Sequence, residues 1–398
     1  MKYLIFALLA TSVACRFSED FYNILAKENA NKNLVISPVS VEIVMSLVYM
    51  GALGKTAQEL RNTLQLPTDK DELAKKYWRF FGNMRKLESS HNLYLANRIF
   101  VNEKFPLVAK FVQTVRKSFK TRTRKFNFDD PDKTALKINR WAAYETHGKV
   151  HDIISPVDIS PDLSVILVNV IYFRGKWEHE FPANQTHTAD FQVSKNEITP
   201  VEVMTMSGTF LAANLAELDA KVIELPYQKS NLSMRIFLPN RVDGLSKLEE
   251  KIAGFSGPLK ETSVNVYLPK FEIEFSTRLK SILQKLGIRE AFSPSANLKD
   301  LTRGLGVKID SILHKASLKV YEKGTKALGA TDARVRKKKS LDQLKKPTMD
   351  FIANHSFAYL IHDQETVYFQ GHIIDPKLNS DEDESKEYEI AESYSAEI

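Results

Sequence analysis

The sequence contains a single cysteine, Cys15, so neither an intrachain disulfide nor a cysteine-rich metal site can form. Glycine and proline are scarce, 15 of each in 398 residues. That excludes a collagen-like chain and argues against general disorder. Beyond the first fourteen residues no stretch approaches the twenty apolar residues a membrane-spanning helix needs. Catalytic signatures are absent too. There is no G-x-S-x-G elbow, no phosphate-binding glycine loop and no H-E-x-x-H helix. The nine histidines have no ligand spacing. The chain therefore reads as a non-enzyme with no metal or cofactor.

The composition, 43% hydrophobic and 26% charged, is that of a soluble globular protein with a sizeable core. The formal net charge of +7 hides an asymmetry. Residues 379–398 hold eight acids against Lys386 alone, a net −7 that leaves +14 on the rest. Such a balance points to an acidic partner or a basic functional loop. At the other end, Lys2, the apolar run Tyr3 to Ala10 and the small residues Thr11-Ser12-Val13-Ala14 predict a secretory leader cut after Ala14 or Cys15. The mature chain is then expected to be secreted and extracellular, without disulfides. Sequons at Asn184 and Asn231 lie beside polar segments and suit glycosylation. A third, at Asn354, sits between Phe351 and Phe357 and is expected to be buried and unmodified.

No repeat or linker divides residues 17–376. Helical periodicity dominates early: Phe21, Leu25 and Ala26 share a stripe, Val41 to Val48 follow Pro38, and Thr56 to Leu64 and Lys75 to Leu87 continue it. Strand-like runs come later, at Val165 to Phe173, Lys221 to Leu225, Leu232 to Leu238, Val264 to Leu268 and Val367 to Ile374. A helix is predicted over Thr277 to Leu286, stopped by Gly287. The fold class is α+β. From Gly324 to Pro347 the chain has small residues and then a basic run; a connection of that length inside a compact domain is usually functional.

The segment Glu322-Lys323-Gly324-Thr325-Lys326-Ala327-Leu328-Gly329-Ala330-Thr331 resembles the hinge of the serpins, the serine protease inhibitor superfamily. Other segments match in the family's order: Asn33-Leu34-Val35-Ile36-Ser37-Pro38-Val39-Ser40, Leu95-Ala96-Asn97-Arg98-Ile99-Phe100, Val168 to Trp177, Leu268-Pro269-Lys270-Phe271, Ile312-Leu313-His314-Lys315-Ala316 and Phe369-Gln370-Gly371-His372. The resemblance implies a metastable single domain over residues 16–376, with three β-sheets, eight or nine helices and a reactive-centre loop at about 322–347. A leader over 1–15 and an acidic, disordered tail over 377–398 complete the expected organisation. In this family a protease cuts the loop, is acylated by the residue before the cut, and is trapped as the loop enters the central sheet.

The hinge region fits insertion. A sheet strand alternates faces with period two. Thr325, Ala327, Gly329, Thr331, Ala333 and Val335 form one small, uncharged face, while Lys326, Leu328, Ala330, Asp332, Arg334 and Arg336 form the other. Lys326 stands where the family often has an acid, and Leu328 where it has a small residue. The family's spacing places the scissile bond between Lys338 and Lys339, with Arg336 and Lys337 as alternatives. The resemblance thus implies a trypsin-like serine protease partner, whose acidic pocket pairs with a basic residue. A subtilisin-like convertase and a non-inhibitory binding or carrier protein are the alternatives.

By the same resemblance Ser37, Ser40, Asn169 and His314 control opening of the central sheet, Trp177 caps its upper entrance, and Lys270 pairs with Glu322 at the hinge. Two basic clusters are candidates for a sulfated polysaccharide: Lys75, Lys76, Arg79, Arg85 and Lys86, and Arg116, Lys117, Lys120, Arg122, Arg124 and Lys125. No nucleic-acid recognition module accompanies them. A monomer with no nucleic-acid or membrane partner is expected.

Overall fold

The computed structural model describes residues 16–252, 255, 257–322 and 348–377. Its eight described α-helices are α1 (residues 16–28), α2 (Pro38–Gly51), α3 (Gly54–Leu64), α4 (Lys70–His91), α5 (Ala109–Ser118), α6 (Pro131–Glu145), α7 (Leu245–Ile252) and α8 (Lys280–Lys285). Early strands are β1 (Leu34–Ile36), β2 (Tyr94–Asn102), β3 (Thr123–Phe126) and β4 (Val165–Phe173). Then come β5 (His187–Ser194), β6 (Glu197–Leu215), β7 (Ala220–Pro226), β8 (Ser233–Pro239), β9 (Lys260–Pro269) and β10 (Phe271–Arg278). β11 (Ile309–Val320), β12 (Met349–Ile352), β13 (Phe357–His362) and β14 (Val367–Ile373) complete the set.

The strands form three sheets. One has five strands in the order β10-β11-β4-β2-β3. The other nine are continuous through the 19-residue β6. The last five residues of β6 pair with β7, which leads on to β8, β13, β14 and β1; the rest of β6 pairs with β5 and β9, and β9 with β12. Mixed helices and large sheets make this the α+β architecture expected.

β4 carries the centre of the molecule. All nine of its residues are buried, as a run that is apolar but for Asn169 requires when both sheet faces are covered. Val165, Leu167, Ile171 and Phe173 join the main core, whereas Ile166, Val168, Val170 and Tyr172 pack with Trp141 and Ile138 of α6. Asn169 interrupts the first face. On that side lies α2, capped by Ser37, whose side chain accepts from the Ser40 N–H, with Pro38 opening the helix. At Gly371 in β14 a side chain is impossible, because a Cβ would sit inside the Leu34 carbonyl of the paired β1.

Two expectations need correction. The helix predicted from Thr277 starts only at Lys280, because Thr277 and Arg278 pair with His314 and Leu313 of β11 and remain strand. The helix expected after Pro38 opens at that residue, preceded by the short strand β1. Asn354 is exposed, not buried. It lies in the break between β12 and β13, where its carbonyl accepts from the Gln192 N–H and only the following His355 and Ser356 turn inward. Gly287 does end the helical turn after α8, at φ +107°.

Candidate functional site at the β4–β11 seam

In the five-stranded sheet β4 and β11 are parallel and directly paired, from Ile309 opposite Val165 to Leu318 opposite Phe173. Their registers align three polar residues in one row across the sheet: His314 on β11, Asn169 on β4 and Asn97 on β2. All three are buried beneath the amino end of α2. Asn169 Oδ1 accepts from Ser40 Oγ at 2.7 Å and from His314 Nδ1, and Asn169 Nδ2 donates to Asn97 Oδ1 at 2.6 Å. The Ser37 N–H donates to His314 Nε2 at 3.4 Å. Those roles fix His314 as the neutral tautomer with its proton on Nδ1. Burial pushes its pKa down to about 3.

Thus Ser37, Ser40, Asn169 and His314, far apart in sequence, meet at one point. Asn97 belongs with them and was not singled out in the sequence. Its segment, Leu95 to Phe100, matches the family's order, but the role of Asn97 appears only when the strands are laid in register.

A second cluster stands at the upper end of the seam. Trp177 is buried, stacks on Tyr227 with ring centroids 4.5 Å apart, and donates from Nε1 to the Tyr321 carbonyl at 2.9 Å. The Arg174 guanidinium lies over the Tyr321 ring, 4.2 Å from its centroid. Tyr321 and Glu322 are the last described residues before the loop. The Phe181 N–H donates to the Glu322 carbonyl at 3.1 Å, and Thr186 Oγ1 to Glu322 Oε1 at 2.9 Å.

Lys270 Nζ lies 3.4 Å from Glu322 Oε1 but closer, 2.6 Å, to Glu202 Oε2 on β6. The sequence reading missed Glu202, which makes the pair a three-membered cluster. Burial opposes the charge on Glu322, yet its own backbone N–H, Thr186 and Lys270 outweigh it and hold the carboxyl below its usual range. Burial likewise disfavours the Lys270 ammonium, and the two carboxylates more than restore it.

The remaining hinge positions, Gly324, Thr325, Ala327, Gly329 and Thr331, lie outside the described residues. So do Arg336, Lys337, Lys338 and Lys339, the leader, and the tail beyond Lys377. Asn184 and Asn231 are exposed.

The first basic cluster lies on α4, where Lys75, Lys76, Arg79 and Arg85 are exposed, although the Lys76 ammonium is engaged by Glu42 at 2.8 Å. Lys86 is in the same helix; its side chain lies outside the description. Of the second cluster, Arg116 and Lys117 end α5, Lys120 sits in a turn at φ +53°, Arg122 follows, and Arg124 and Lys125 lie on β3. All six are exposed, but on three different elements, so they form no single helical face. Helix α4 packs against α5, with the Tyr77 and Phe119 rings 4.7 Å apart.

The comparisons with known proteins agree with this architecture. Residues 12–376 match the family model described as "Serpin (serine protease inhibitor)". The chain is 43% identical over 378 residues to Serine protease inhibitor 42Dd of Drosophila melanogaster, covering 94% of this chain and all of that protein. Among solved structures, Serpin48 of the insect Tenebrio molitor superposes with a TM-score of 0.82 at 27% identity, over 92% of this chain and 98% of that one. Uncleaved ovalbumin gives a TM-score of 0.83 at 26% identity, over 92% and 99%. With its three sheets, its paired β4–β11 seam and a match running almost from end to end, the chain belongs to the serpin family of serine protease inhibitors.

Proposed function

We propose that the protein is a secreted suicide-substrate inhibitor of trypsin-like serine endopeptidases, with Lys338–Lys339 as the bond offered. The observation that carries this reading is the seam itself. β4 and β11 meet as a parallel pair with no strand between them. A segment that leaves β11, turns and lies back between them runs antiparallel to both. One parallel pairing is then exchanged for two antiparallel ones, which are slightly more stable per residue, with the ladder lengthened as well. The alternating small, uncharged residues from Thr325 to Val335 suit the inward face of such a strand, since a charge there would be buried unpaired.

The chemistry is the protease's own. Its serine oxygen attacks the Lys338 carbonyl carbon, the bond to Lys339 nitrogen breaks, and that nitrogen takes a proton and leaves as a new amino terminus. Lys338 stays esterified to the serine. Insertion of the loop then carries the protease along the sheet before water reaches the ester. The Ser37–Ser40–Asn169–His314 cluster, with Asn97, holds the seam closed under α2, and Trp177 and Glu322 with Lys270 hold its upper end. The leader supports secretion, and exposure at Asn184 and Asn231 suits glycosylation there. A sulfated polysaccharide is a second proposed partner, through the exposed cations on α4 and α5. Reaction with trypsin, followed on a denaturing gel and by mass spectrometry, tests the reading. A stable adduct with release of the peptide beginning at Lys339 is expected. Complete cleavage without adduct would leave the substrate-like, non-inhibitory alternative standing, and an adduct only with a convertase would replace the protease class.

A further inference from the structure

A cleft of about 540 Å³ opens between α6 and the β2–β3 edge of the five-stranded sheet. It forms because Arg98 and Phe100 on β2 share a face, and Arg124 and Phe126 on β3 are in register beside Phe100 and Asn102. Those side chains meet α6 from below. Six cations border the cleft, Arg98, Arg124, Lys125, Lys133, Lys137 and Arg140, against two carboxylates, Glu103 and Asp130. Asp130 is spent as the amino-terminal cap of α6.

At the inner end Arg98 is buried, its side chain 8% exposed. Its guanidinium lies over the Trp141 ring, 4.7 Å from the centroid, and Nη2 donates to Glu145 Oε1 at 3.3 Å. That same oxygen is shared with Trp141 Nε1 at 2.9 Å. Arg98 Nε has no acceptor among the described residues, although buried N–H groups nearly always find one. Burial, with Arg124 and Arg122 nearby, pushes the Arg98 pKa down to about 10 even against Glu145; the site already carries more positive charge than it neutralises. Phe126, with the Lys137 ammonium 5.9 Å from its ring centroid, supplies an apolar wall.

We propose that this cleft binds a sulfated or phosphorylated carbohydrate ring, one anionic ester meeting Arg98 and Arg124, the others Lys133 and Lys137, and the ring lying along Phe126. The site differs from both basic clusters read in the sequence, of which only Arg124 and Lys125 border it. It is independent of the inhibitory reading, because binding is measured without a protease. The ligand bridges α6 to the sheet it covers.

Isothermal titration of the full-length protein at low salt, with sucrose octasulfate in one arm and inositol hexaphosphate in the other, tests the proposal. Binding in either arm supports it, and the stronger arm names the ester. Lys133→Glu with Lys137→Glu, both exposed and outside the core, is expected to weaken binding about tenfold or more, the scale of lost charge-assisted contacts. Arg98→Met, accepted only if its circular dichroism is unchanged, is expected to do the same. Lys75→Glu with Arg79→Glu on α4 is expected to leave binding unchanged. No heat in either arm would overturn the proposal, as would equal weakening by the α4 pair, which would mean diffuse attraction to a basic surface.

Discussion

Asn169 ties β4 to two strands and a helix through one carboxamide: Asn97 of β2 on its nitrogen, Ser40 of α2 and His314 of β11 on its oxygen. Asn169→Ala leaves three buried polar groups without their partner, so a loss of about 2–4 kcal/mol is expected in urea unfolding; a change within 0.5 kcal/mol of zero, roughly that of a surface substitution, would deny the cluster its role. His314 adds a pH dependence. Its folded pKa, about 3, lies below the ordinary 6.5, so the unfolded chain takes up a proton that the folded one refuses. Its contribution is therefore complete above pH 6.5 and is lost as pH falls toward 3. A His314→Gln variant is expected to show a flatter stability profile between pH 7 and about 4.5, whatever its stability at pH 7. At the hinge, Glu322→Ala frees Thr186 and one side of Lys270, but Glu202 still holds that ammonium. The stability cost is accordingly modest, about 1–2 kcal/mol, and the expected readout is slow loss of monomer on size-exclusion chromatography. An unchanged monomer would count against the hinge contact. Ser37, Ser40, Asn169 and His314 were legible because each lies in a matched segment. Asn97, although in a matched segment, and Glu202 were not, because the resemblance assigns neither a role; only strand register and sheet packing bring them to partners 72 and 68 residues away.

At the scale of elements, the seam makes a sharp demand: β4 and β11 must separate for a strand to enter. Ile171 and Ala316 are registered across it, at the ~4.8 Å spacing of neighbouring strands, within disulfide reach. Ile171→Cys with Ala316→Cys is therefore expected to give, when oxidised, a protein that trypsin cleaves without forming an adduct, and adduct formation is expected to return on reduction. Trapping by the oxidised form would show that the seam does not open. The same elements show what a sequence reveals about strands. β4 was read to the residue, because burial on both faces leaves eight apolar residues broken only by Asn169. β6 was missed, because its burial alternates irregularly along 19 residues, and what makes it a strand is pairing with β5, β7 and β9 in turn. The helix expected at Thr277 failed for a related reason: pairing with β11 overrides local periodicity until Lys280.

Over the whole molecule, the proposed mechanism requires a fold that stores a better arrangement than the one it occupies. Its core is large and lies on both faces of β4, and without any intrachain disulfide the closed state depends on packing and on the two polar clusters along the seam. The most direct test compares thermal unfolding of the intact protein with that of the protein cut in its loop. About ten new backbone hydrogen bonds at about 1 kcal/mol each, at about 2 °C per kcal/mol, predict a rise on the order of 20 °C after cleavage. A cut form that melts with, or below, the intact protein would mean that no strand enters between β4 and β11, and would contradict the mechanism at its centre.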